Sequence, residues 1–283
     1  MALALAAPAS APAGELADLA DGLVGHYVTR TPVAGPAPLL TAGQARVVQG
    51  AVVATLEPVL GAPIGYKAGL TSPPAQEKFG VAEPLRGVLL RSMVLDDGAT
   101  LPAAFGARPF AEGDLLVRVG SEAINTATTP EEALAALSAV IPFMELPDIL
   151  YAEGVALDGP AITAVNVGAR YGIAGDPIPL TPGGDWMRRL AEFQVVLTDA
   201  GGATLAQGTG DALLGHPLNV VLWLARSLNR DNVRLKPGDL LSLGSLTPLV
   251  PVAGPGTIQA RYEGLDPAGP VVLTAHFAPA IPE

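Results

Sequence analysis

The sequence predicts an α+β fold, in which a long series of strands is accompanied by a few helices. Two patterns indicate it: apolar residues recur at helical spacing over residues 15–60, and short apolar segments alternate with turn residues over much of the rest. No internal repeat and no linker between domains is recognisable. We therefore expect a single domain over residues 15–283, helical over 15–60 and sheet-rich over 61–283.

Capping residues mark where predicted helices begin. Thr41 is an expected N-cap, and Thr129 is followed by Pro130 and by Glu132, which completes a capping box. The helix that Thr129 opens is expected to end by Val140. Helices are predicted over residues 15–30, 41–60, 73–79, 129–140 and 217–229.

The remaining apolar segments are short and are predicted to be strands. Short strands separated by turns are expected over residues 87–119, and residues 199–202 (DAGG) are a hairpin turn signal. Further strands are predicted over residues 161–169, 192–198, 240–246, 256–262 and 270–277. The helix over 217–229 carries apolar residues at helical spacing, so we expect it to pack on the sheet, with His216 as a helix-start residue.

Composition argues against several classes of function. Lys and Arg total 16 against 27 Asp and Glu, and the net charge of −11 disfavours a general nucleic-acid binder and an anionic membrane surface as partner. The absence of cysteine excludes disulfides, thiolate catalysis and cysteine-bound zinc. Three histidines, far apart in sequence, disfavour a multi-histidine metal site. No apolar run reaches ~18 residues, so no membrane-spanning helix is predicted.

The first 14 residues, MALALAAPASAPAG, are rich in Ala and Pro. They are predicted to be a disordered tail. The alternative is the remnant of a signal peptide, because residues 9–11 (ASA) resemble a small-residue cleavage site, although no basic residue precedes Arg30. The protein is accordingly predicted to be cytoplasmic, or periplasmic if this segment is an export signal.

Three carboxylates stand out in otherwise apolar sequence. Glu112 and Asp114 precede an apolar run, and residues i and i+2 of a strand point to one face, so the two would converge. Glu145 lies in a second apolar run, where a lone charge needs a partner. Two interpretations stay open. Either the first pair begins a solvated strand and Glu145 forms a salt bridge with Lys67 or Arg108, or all three bind a hard cation such as Mg²⁺ or Mn²⁺.

A single lysine, Lys67, stands in the glycine-rich segment of residues 65–72 (GYKAGLTS). The hydroxyls of Thr71 and Ser72 make this segment suitable for cradling a carboxylate, although a surface lysine is the alternative interpretation. Asp148 follows Glu145 by three residues and is expected to be a supporting or capping group.

Taken together in this order, five motifs resemble the 2-keto-4-pentenoate hydratase branch of the fumarylacetoacetate hydrolase superfamily, over residues 40–277. The motifs are residues 65–72 (GYKAGLTS), Glu112-x-Asp114, residues 145–148 (ELPD), residues 210–217 (GDALLGHP), and residues 237–239 (PGD) followed by 244–247 (GSLT). The resemblance implies a mixed β-sheet roll of the fumarylacetoacetate hydrolase type with flanking N-terminal helices, homo-oligomers and a role in aromatic compound catabolism.

The resemblance also implies roles for particular residues. Glu112, Asp114 and Glu145 would hold Mg²⁺ or Mn²⁺, and Lys67 would be the catalytic basic group on the substrate side. The residues assigned to the substrate are Leu70, Thr71, Ser72 and Ser245. Two departures from the family pattern are visible: Asp114 replaces the usual second glutamate, and Leu85 stands where an acidic residue often follows the proline.

From these residues we predict a metal-dependent hydratase. Its substrate would be a short 2-hydroxydienoate or 2-oxo-enoate acid such as 2-hydroxypenta-2,4-dienoate. The alternatives are a decarboxylase of a related 2-oxo diacid and a non-catalytic relative that binds a keto acid or a metal.

Overall fold

The computed structural model describes residues 13–181 and 185–279. Within them the α-helices are α1 (Ala13–Thr29), α2 (Ala42–Leu60), α3 (Pro73–Lys78), α4 (Pro130–Ala135), α5 (Gly159–Ala164), α6 (Trp186–Glu192) and α7 (Pro217–Arg230). Short 3-10 turns occupy Arg91–Met93, Glu122–Thr126, Asn166–Gly168 and Gly210–Ala212. Residues 1–12 lie outside the described ranges, so the predicted tail or signal remnant stays a prediction there, whereas Ala13 and Gly14 begin α1.

The strands lie between and after these helices, often several in succession. They are β1 (Pro63–Gly69), β2 (Leu85–Leu90), β3 (Val94–Asp96), β4 (Thr100–Pro102), β5 (Phe110–Val119), β6 (Leu137–Leu146), β7 (Tyr171–Ala174), β8 (Ile178–Pro179), β9 (Gln194–Asp199), β10 (Thr204–Thr209), β11 (Leu240–Ser242), β12 (Val250–Pro251), β13 (Gly256–Glu263) and β14 (Val271–Ala278).

Two sheets form the body of the protein. The larger has the strand order β2-β1-β11-β5-β6-β7-β3, with β12 paired to β5 and β8 paired to β6. It is mixed, because β1 runs parallel to β11 while β5 and β6 are antiparallel. The second sheet has the order β10-β9-β13-β14-β4. The predicted α+β class with mixed sheets is therefore confirmed.

The predicted helix starts are confirmed by their caps. The hydroxyl of Thr41 accepts a hydrogen bond from the Gln44 N–H at 3.2 Å, and the Gln44 side chain accepts one from the Thr41 N–H at 2.9 Å. Thr129 and Glu132 form the same reciprocal box at the start of α4. Such caps satisfy backbone donors that the first helical turn leaves free.

Helix α7 packs into the main core, as its spacing predicts. Val220, Val221, Leu224 and Leu228 are all buried in the hydrophobic cluster that also holds residues of β5 and β6. A second cluster joins α1 and α2 to α5 and to β2. Within the described residues, no helix is both long and apolar enough to cross a bilayer.

The prediction of a strand over residues 161–169 is wrong. The segment forms α5 and a 3-10 turn, because the Asp158 carboxylate accepts a hydrogen bond from the Ala161 N–H at 2.8 Å and Pro160 suits the first turn. Local capping outweighed the strand propensity of Ile162 and Thr163. In the second half of the chain only the helix over residues 217–229 was predicted, which is also wrong, since α5 and α6 lie there too.

The prediction of a helix over residues 129–140 is wrong beyond Ala135, and no strand was predicted where β6 lies. Helix α4 ends at Ala135, and β6 begins two residues later and runs through Pro142. Proline normally disfavours an inner strand because it has no N–H to donate. Here Pro142 lies between the stretch of β6 that pairs with β8 and the stretch that pairs with β7, so the sheet tolerates it.

Candidate active site

Strands β5 and β6 bring the three predicted carboxylates to one face of the larger sheet. The antiparallel register places Glu112 directly opposite Glu145, and Asp114 lies two residues further along β5. Cross-strand partners and i, i+2 neighbours share a face. The exposed fractions are 6% for Glu112, 0% for Asp114 and 2% for Glu145. The interpretation of a solvated strand start is therefore wrong.

Each carboxylate is held by a different group. Glu145 forms an ion pair with Lys67, whose ammonium also donates to the Val167 carbonyl at 3.1 Å. Glu112 accepts a hydrogen bond from the Ser245 hydroxyl. Of the two partners that the sequence offered for Glu145, the structure therefore selects Lys67.

Asp114 is the most completely bonded member of the cluster. One oxygen accepts hydrogen bonds from the N–H groups of Gly244 at 2.8 Å and Leu115 at 2.5 Å, and the other accepts from the Ser242 hydroxyl. Ser242 reaches Asp114 because β11 lies between β1 and β5. In the pairing of β11 with β1, Ser242 lies opposite Lys67. Ser242 was not among the predicted site residues, although a serine directly after two leucines in a predicted strand was an available signal.

The charges in this cluster do not balance. Burial lowers the pKa of Lys67, but attraction to Glu145 and Glu112 outweighs it, and the net pKa lies above that of a free lysine. Burial, and next the negative charge of Glu145, raise the pKa values of the Glu112 and Asp114 carboxyls well above their usual range. If all three carboxyls were ionised, one ammonium could not neutralise them, and the raised pKa values of Glu112 and Asp114 express that cost.

These residues suit a hard divalent cation. One buried oxygen of Glu145, Oε2, has no hydrogen-bond partner among the described residues. The three carboxylates offer a metal ion only oxygen ligands, the type that Mg²⁺ and Mn²⁺ take. Over residues 13–181 and 185–279, no three Asp, Glu or His side chains are already gathered as a complete ligand set. Glu112 and Asp114 would each exchange a serine hydroxyl for the cation.

A cavity of about 330 Å³ opens from this cluster. Lys67 and Glu112 line it, whereas Asp114 and Glu145 are absent from its wall. The four residues assigned to the substrate, Leu70, Thr71, Ser72 and Ser245, all line the same cavity. The structure thus brings every predicted site residue to the cavity or to the cluster behind it.

A close backbone approach shapes this wall. Gly244 has a φ of +97°, and a Cβ there would come within 2.6 Å of the Thr71 hydroxyl oxygen. A side chain at this position would push Thr71 out of the wall. This steric contact explains why the GSLT motif begins with glycine.

The rest of the cavity is mainly apolar and comes from segments that the sequence analysis did not assign to the site. Its further lining includes Lys78 and Phe79 from the region of α3, Tyr151, Leu157 and Ile162 around α5, and Leu249. Leu85 lines a different surface depression, together with Arg46 and Trp223, so its departure from the family pattern lies outside this cavity wall.

Two other predicted groups have structural positions. His216 caps α7: its Nδ1 accepts from the Leu218 N–H at 3.1 Å, and its Nε2 lies 2.9 Å from the Met187 carbonyl. Asp148 accepts from the N–H groups of Ala107 and Arg108 and forms an ion pair with Arg170 at 3.2 Å, which confirms it as a supporting group.

The fold and the site define a class: a mixed-sheet protein with a buried acid–lysine cluster beside an apolar cavity. A solved structure of this class, 4-oxalocrotonate decarboxylase from Pseudomonas putida G7 complexed with magnesium and adipate, superposes with a TM-score of 0.82 at 25% identity and covers 95% of this chain and 99% of that one. Fumarylpyruvate hydrolase from Pseudomonas aeruginosa, complexed with Mn²⁺ and pyruvate, shares the fold with a TM-score of 0.54 at 16% identity, over 76% of this chain and 88% of that one.

Sequence relatives narrow the class to a family. The 2-keto-4-pentenoate hydratase of Paraburkholderia phymatum is 32% identical over 209 residues, 71% of this chain and 75% of the relative. The 2-hydroxyhexa-2,4-dienoate hydratase of Comamonas testosteroni is 30% identical over 210 residues, with the same two coverages. No family model matches the chain. The chain belongs to the 2-keto-4-pentenoate hydratase family, a group of hydro-lyases within the fumarylacetoacetate hydrolase superfamily.

Proposed function

We propose that the protein hydrates a short 2-hydroxydienoate, such as 2-hydroxypenta-2,4-dienoate, to the corresponding 4-hydroxy-2-oxo acid. The observation that carries this proposal is the position of Lys67 and Glu112, which face both the buried acid cluster and the apolar cavity. A substrate with an anionic head and an unsaturated apolar tail matches that division. The names of the similar hydratases support the same choice.

We further propose that Glu112, Asp114 and Glu145 hold a divalent cation, Mg²⁺ or Mn²⁺. The unpartnered Glu145 Oε2 and the excess of negative charge support it. When bound, the cation would supply Lewis-acid stabilisation of the negative charge that develops on the 2-oxygen of the substrate.

Lys67 is proposed to fix the head of the substrate. Its raised pKa keeps it protonated at neutral pH, so it donates hydrogen bonds and provides positive charge rather than removing a proton. The Lys67 ammonium lowers the repulsion that an anionic substrate meets near three buried carboxylates. Ser72 and Ser245 line the same cavity and supply further hydroxyls.

The apolar wall is proposed to hold the diene. Residues such as Leu157, Ile162 and Leu249 leave the tail of the substrate without hydrogen-bond partners, which favours an uncharged chain. The reaction first moves a proton from the 2-hydroxyl to the far end of the dienol, giving the conjugated ketone. Water then adds its hydroxyl at C4 and its proton at C3.

The proposal is tested by following the ultraviolet absorbance of 2-hydroxypenta-2,4-dienoate with the purified protein. Turnover is expected with Mg²⁺ or Mn²⁺, and its loss is expected in EDTA or in Glu112→Gln, which keeps the side-chain volume. Binding of Mg²⁺ without turnover of any five- or six-carbon dienoate would favour the non-catalytic alternative instead.

A second candidate function is decarboxylation of a 2-oxo diacid. Lys78 lines the cavity, is exposed, and has no ion-pair partner among the described residues, so it could take a second carboxylate. A 4-oxalocrotonate decarboxylase of Pseudomonas putida is 29% identical over 202 residues. Release of CO₂ from 2-oxohex-3-enedioate that falls in Lys78→Met would favour this function, whereas dienoate hydration should not depend on Lys78.

The oligomeric state and location remain proposals. We expect a homo-oligomer, as the family resemblance implies, which size-exclusion chromatography with light scattering would test. The cytoplasm is the proposed location, with the periplasm as the alternative if residues 1–12 belong to an export signal.

A further inference from the structure

The turn at Asn166–Gly168 is strained, and it contacts Lys67. Asn166 and Val167 have φ values of +54° and +56°, in the left-handed region that residues other than glycine adopt rarely. Among the described non-glycine residues in this region, Val167 is the one with a β-branched side chain, which tolerates it least. Its carbonyl accepts a hydrogen bond from the Lys67 ammonium at 3.1 Å. Such strain persists only where the surrounding contacts impose it, and it is frequent at functional sites.

The side chain of Asn166 imposes this conformation. It is 3% exposed, and its amide bonds both backbone groups of one β2 residue: Oδ1 accepts from the Val88 N–H at 2.8 Å, and Nδ2 donates to the Val88 carbonyl at 2.9 Å. Because β2 is the outermost strand of its sheet, Asn166 takes the place of a neighbouring strand. Oδ1 also accepts from the Gln49 amide of α2 at 3.3 Å. The turn is thereby fixed to two elements that are distant in sequence.

The same turn lies against the stem of Lys67. Gly87 is opposite Lys67 in the pairing of β1 with β2, and a Cβ there would come within 2.8 Å of the Asn166 carbonyl oxygen and 2.9 Å of Lys67 Cγ. The missing side chain at Gly87 therefore lets the turn approach the lysine. Val167 and Gly168 line the cavity together with Lys67. The Val167 carbonyl consequently holds the ammonium beside the cavity.

The two hydrogen-bond partners of Lys67 differ in how a metal ion would affect them. Glu145 is a proposed ligand of the cation, so its carboxylate would be shared between that cation and the ammonium. The Val167 carbonyl is neutral and belongs to no proposed ligand. It can therefore keep the ammonium in place in the metal-bound protein, through a hydrogen bond strengthened by the charge of its donor.

We propose that Asn166 is a positioning residue for the hydration. Its side chain fixes the left-handed turn, the turn aims the Val167 carbonyl at Lys67, and this carbonyl holds the ammonium where the head of the substrate binds. The inference rests on the proposed hydratase function. Asn166 does not line the cavity, so it acts through Lys67 rather than on the substrate itself.

The test uses Asn166→Gly, because glycine accepts the left-handed φ and the substitution removes only the amide. Both Val88 backbone groups lose a partner, so the melting temperature should fall by roughly 2–8 °C. Turnover of 2-hydroxypenta-2,4-dienoate should fall by roughly ten- to a hundredfold, the range expected when a group that binds the substrate is displaced by about 1 Å.

A double-mutant cycle with Lys67→Met separates positioning from a general loss of structure. If Asn166 acts through Lys67, Asn166→Gly should change the remaining turnover of Lys67→Met by less than about twofold. Its effect on the melting temperature should be the same in both backgrounds, because the bonds to Val88 do not involve Lys67. An equal fall in turnover in both backgrounds would show that Asn166 supports only the fold, and would refute the inference.

Asn125→Gly is the matched control. Asn125 is 6% exposed and makes the same pair of bonds: Oδ1 accepts from the Leu235 N–H at 2.9 Å, and Nδ2 donates to the Leu235 carbonyl at 2.7 Å. The control should lose at least as much stability as Asn166→Gly, because glycine is costly where the backbone is not left-handed. Its turnover should stay within a few-fold of the parent. A fall as large as that of Asn166→Gly would contradict the inference.

A measurement without substrate distinguishes this inference from the proposed function. The chain has three lysines, Lys67, Lys78 and Lys236, so the proton–nitrogen NMR signal of the buried Lys67 ammonium can be assigned by its loss in Lys67→Met. Asn166→Gly should shift this signal and speed the exchange of its protons with water, with and without Mg²⁺, whereas Asn125→Gly should leave it unchanged. An unchanged signal in Asn166→Gly would overturn the inference. Failure of the parent to hydrate any dienoate would overturn only the proposed function.

Gln49→Met makes a milder change to the same turn, should Asn166→Gly not fold. It keeps the length of the side chain and removes the donor to Asn166 Oδ1, together with a bond of 2.7 Å to the Arg86 carbonyl. The Lys67 signal should still shift, and turnover should fall by a smaller factor, about two- to tenfold. A Lys67 signal identical to that of the parent would count against the inference.

Discussion

Two buried carboxylate sites lie three residues apart on one segment, and they are built differently. Asp148 has both oxygens engaged, by two backbone N–H groups and by the Arg170 guanidinium. Glu145 has one oxygen engaged by Lys67, while its Oε2 is buried without a partner. Arg170 neutralises one carboxylate, whereas Lys67 faces three.

The difference distinguishes Asp148, a carboxylate that stabilises the fold, from Glu145, which still has an oxygen free to bind a cation. A buried charge that is fully hydrogen-bonded and paired can be maintained without a ligand. A cluster with a free oxygen and surplus charge is costly until a cation arrives. Opposite responses to neutralising substitutions are therefore expected from the two sites.

The largest stability effect is expected at Asp148. Asp148→Ala removes the partner of the buried Arg170 guanidinium and of two backbone donors, so the free energy of unfolding should fall by about 3–5 kcal/mol. Urea unfolding measures it. The control is Glu192→Gln, which breaks the exposed pair with Arg188 and should cause no measurable change. A loss below about 1 kcal/mol at Asp148 would remove the contrast between the sites.

Lys67→Met is expected to affect activity most within the acid cluster. The stem is kept and the charge is removed, so turnover should fall on the order of 100-fold while Mg²⁺ still binds. Because Glu145 is then buried without the Lys67 ammonium, the metal-free variant should also be less stable than the metal-free parent, and Mg²⁺ should restore its stability.

The double variant Lys67→Met with Glu145→Gln checks this reasoning. It removes both charges, so its metal-free stability should recover relative to Lys67→Met alone. Turnover of Lys67→Met within a few-fold of the parent would show that another cation serves the substrate.

A smaller effect is expected on the pH dependence of stability. Because the folded-state pKa of Glu112 is raised, its contribution is fully present below the unfolded pKa of about 4.3 and is lost as pH rises through the folded pKa. Thermal unfolding in EDTA should therefore show a decrease with pH that Glu112→Gln lacks. Mg²⁺ should reduce the decrease in the parent. Identical pH profiles in EDTA for parent and variant would contradict the assignment.

The smallest effect is expected at His216, which lies outside both sites. Asn also caps helices well, so His216→Asn should cost about 1 kcal/mol or less, from the lost contact with the Met187 carbonyl. Turnover should remain within a few-fold of the parent. A folded variant without turnover would assign His216 to the reaction.

Local rules made part of this protein predictable from its sequence. The capping boxes at Thr41 and Thr129 and the apolar spacing of α7 depend on residues within one helix, so the start of each helix was placed correctly, although α4 ends at Ala135. The same holds for Glu112 and Asp114, whose common face follows from the two-residue repeat of a strand.

Contacts between distant segments decided the rest. Pro142 entered β6 because it lies between the residues that pair with β8 and those that pair with β7, so no partner strand requires the N–H that it lacks. The wrong strand over residues 161–169 is a different case, because its cause, the cap from Asp158, is local. Lys67 and Glu145 are 78 positions apart, and only the order of β1, β11, β5 and β6 brings them together. The sequence determined which groups could ionise and bind. The packing of strands determined which of them remain unsatisfied, because burial and pairing depend on neighbours that no local pattern specifies.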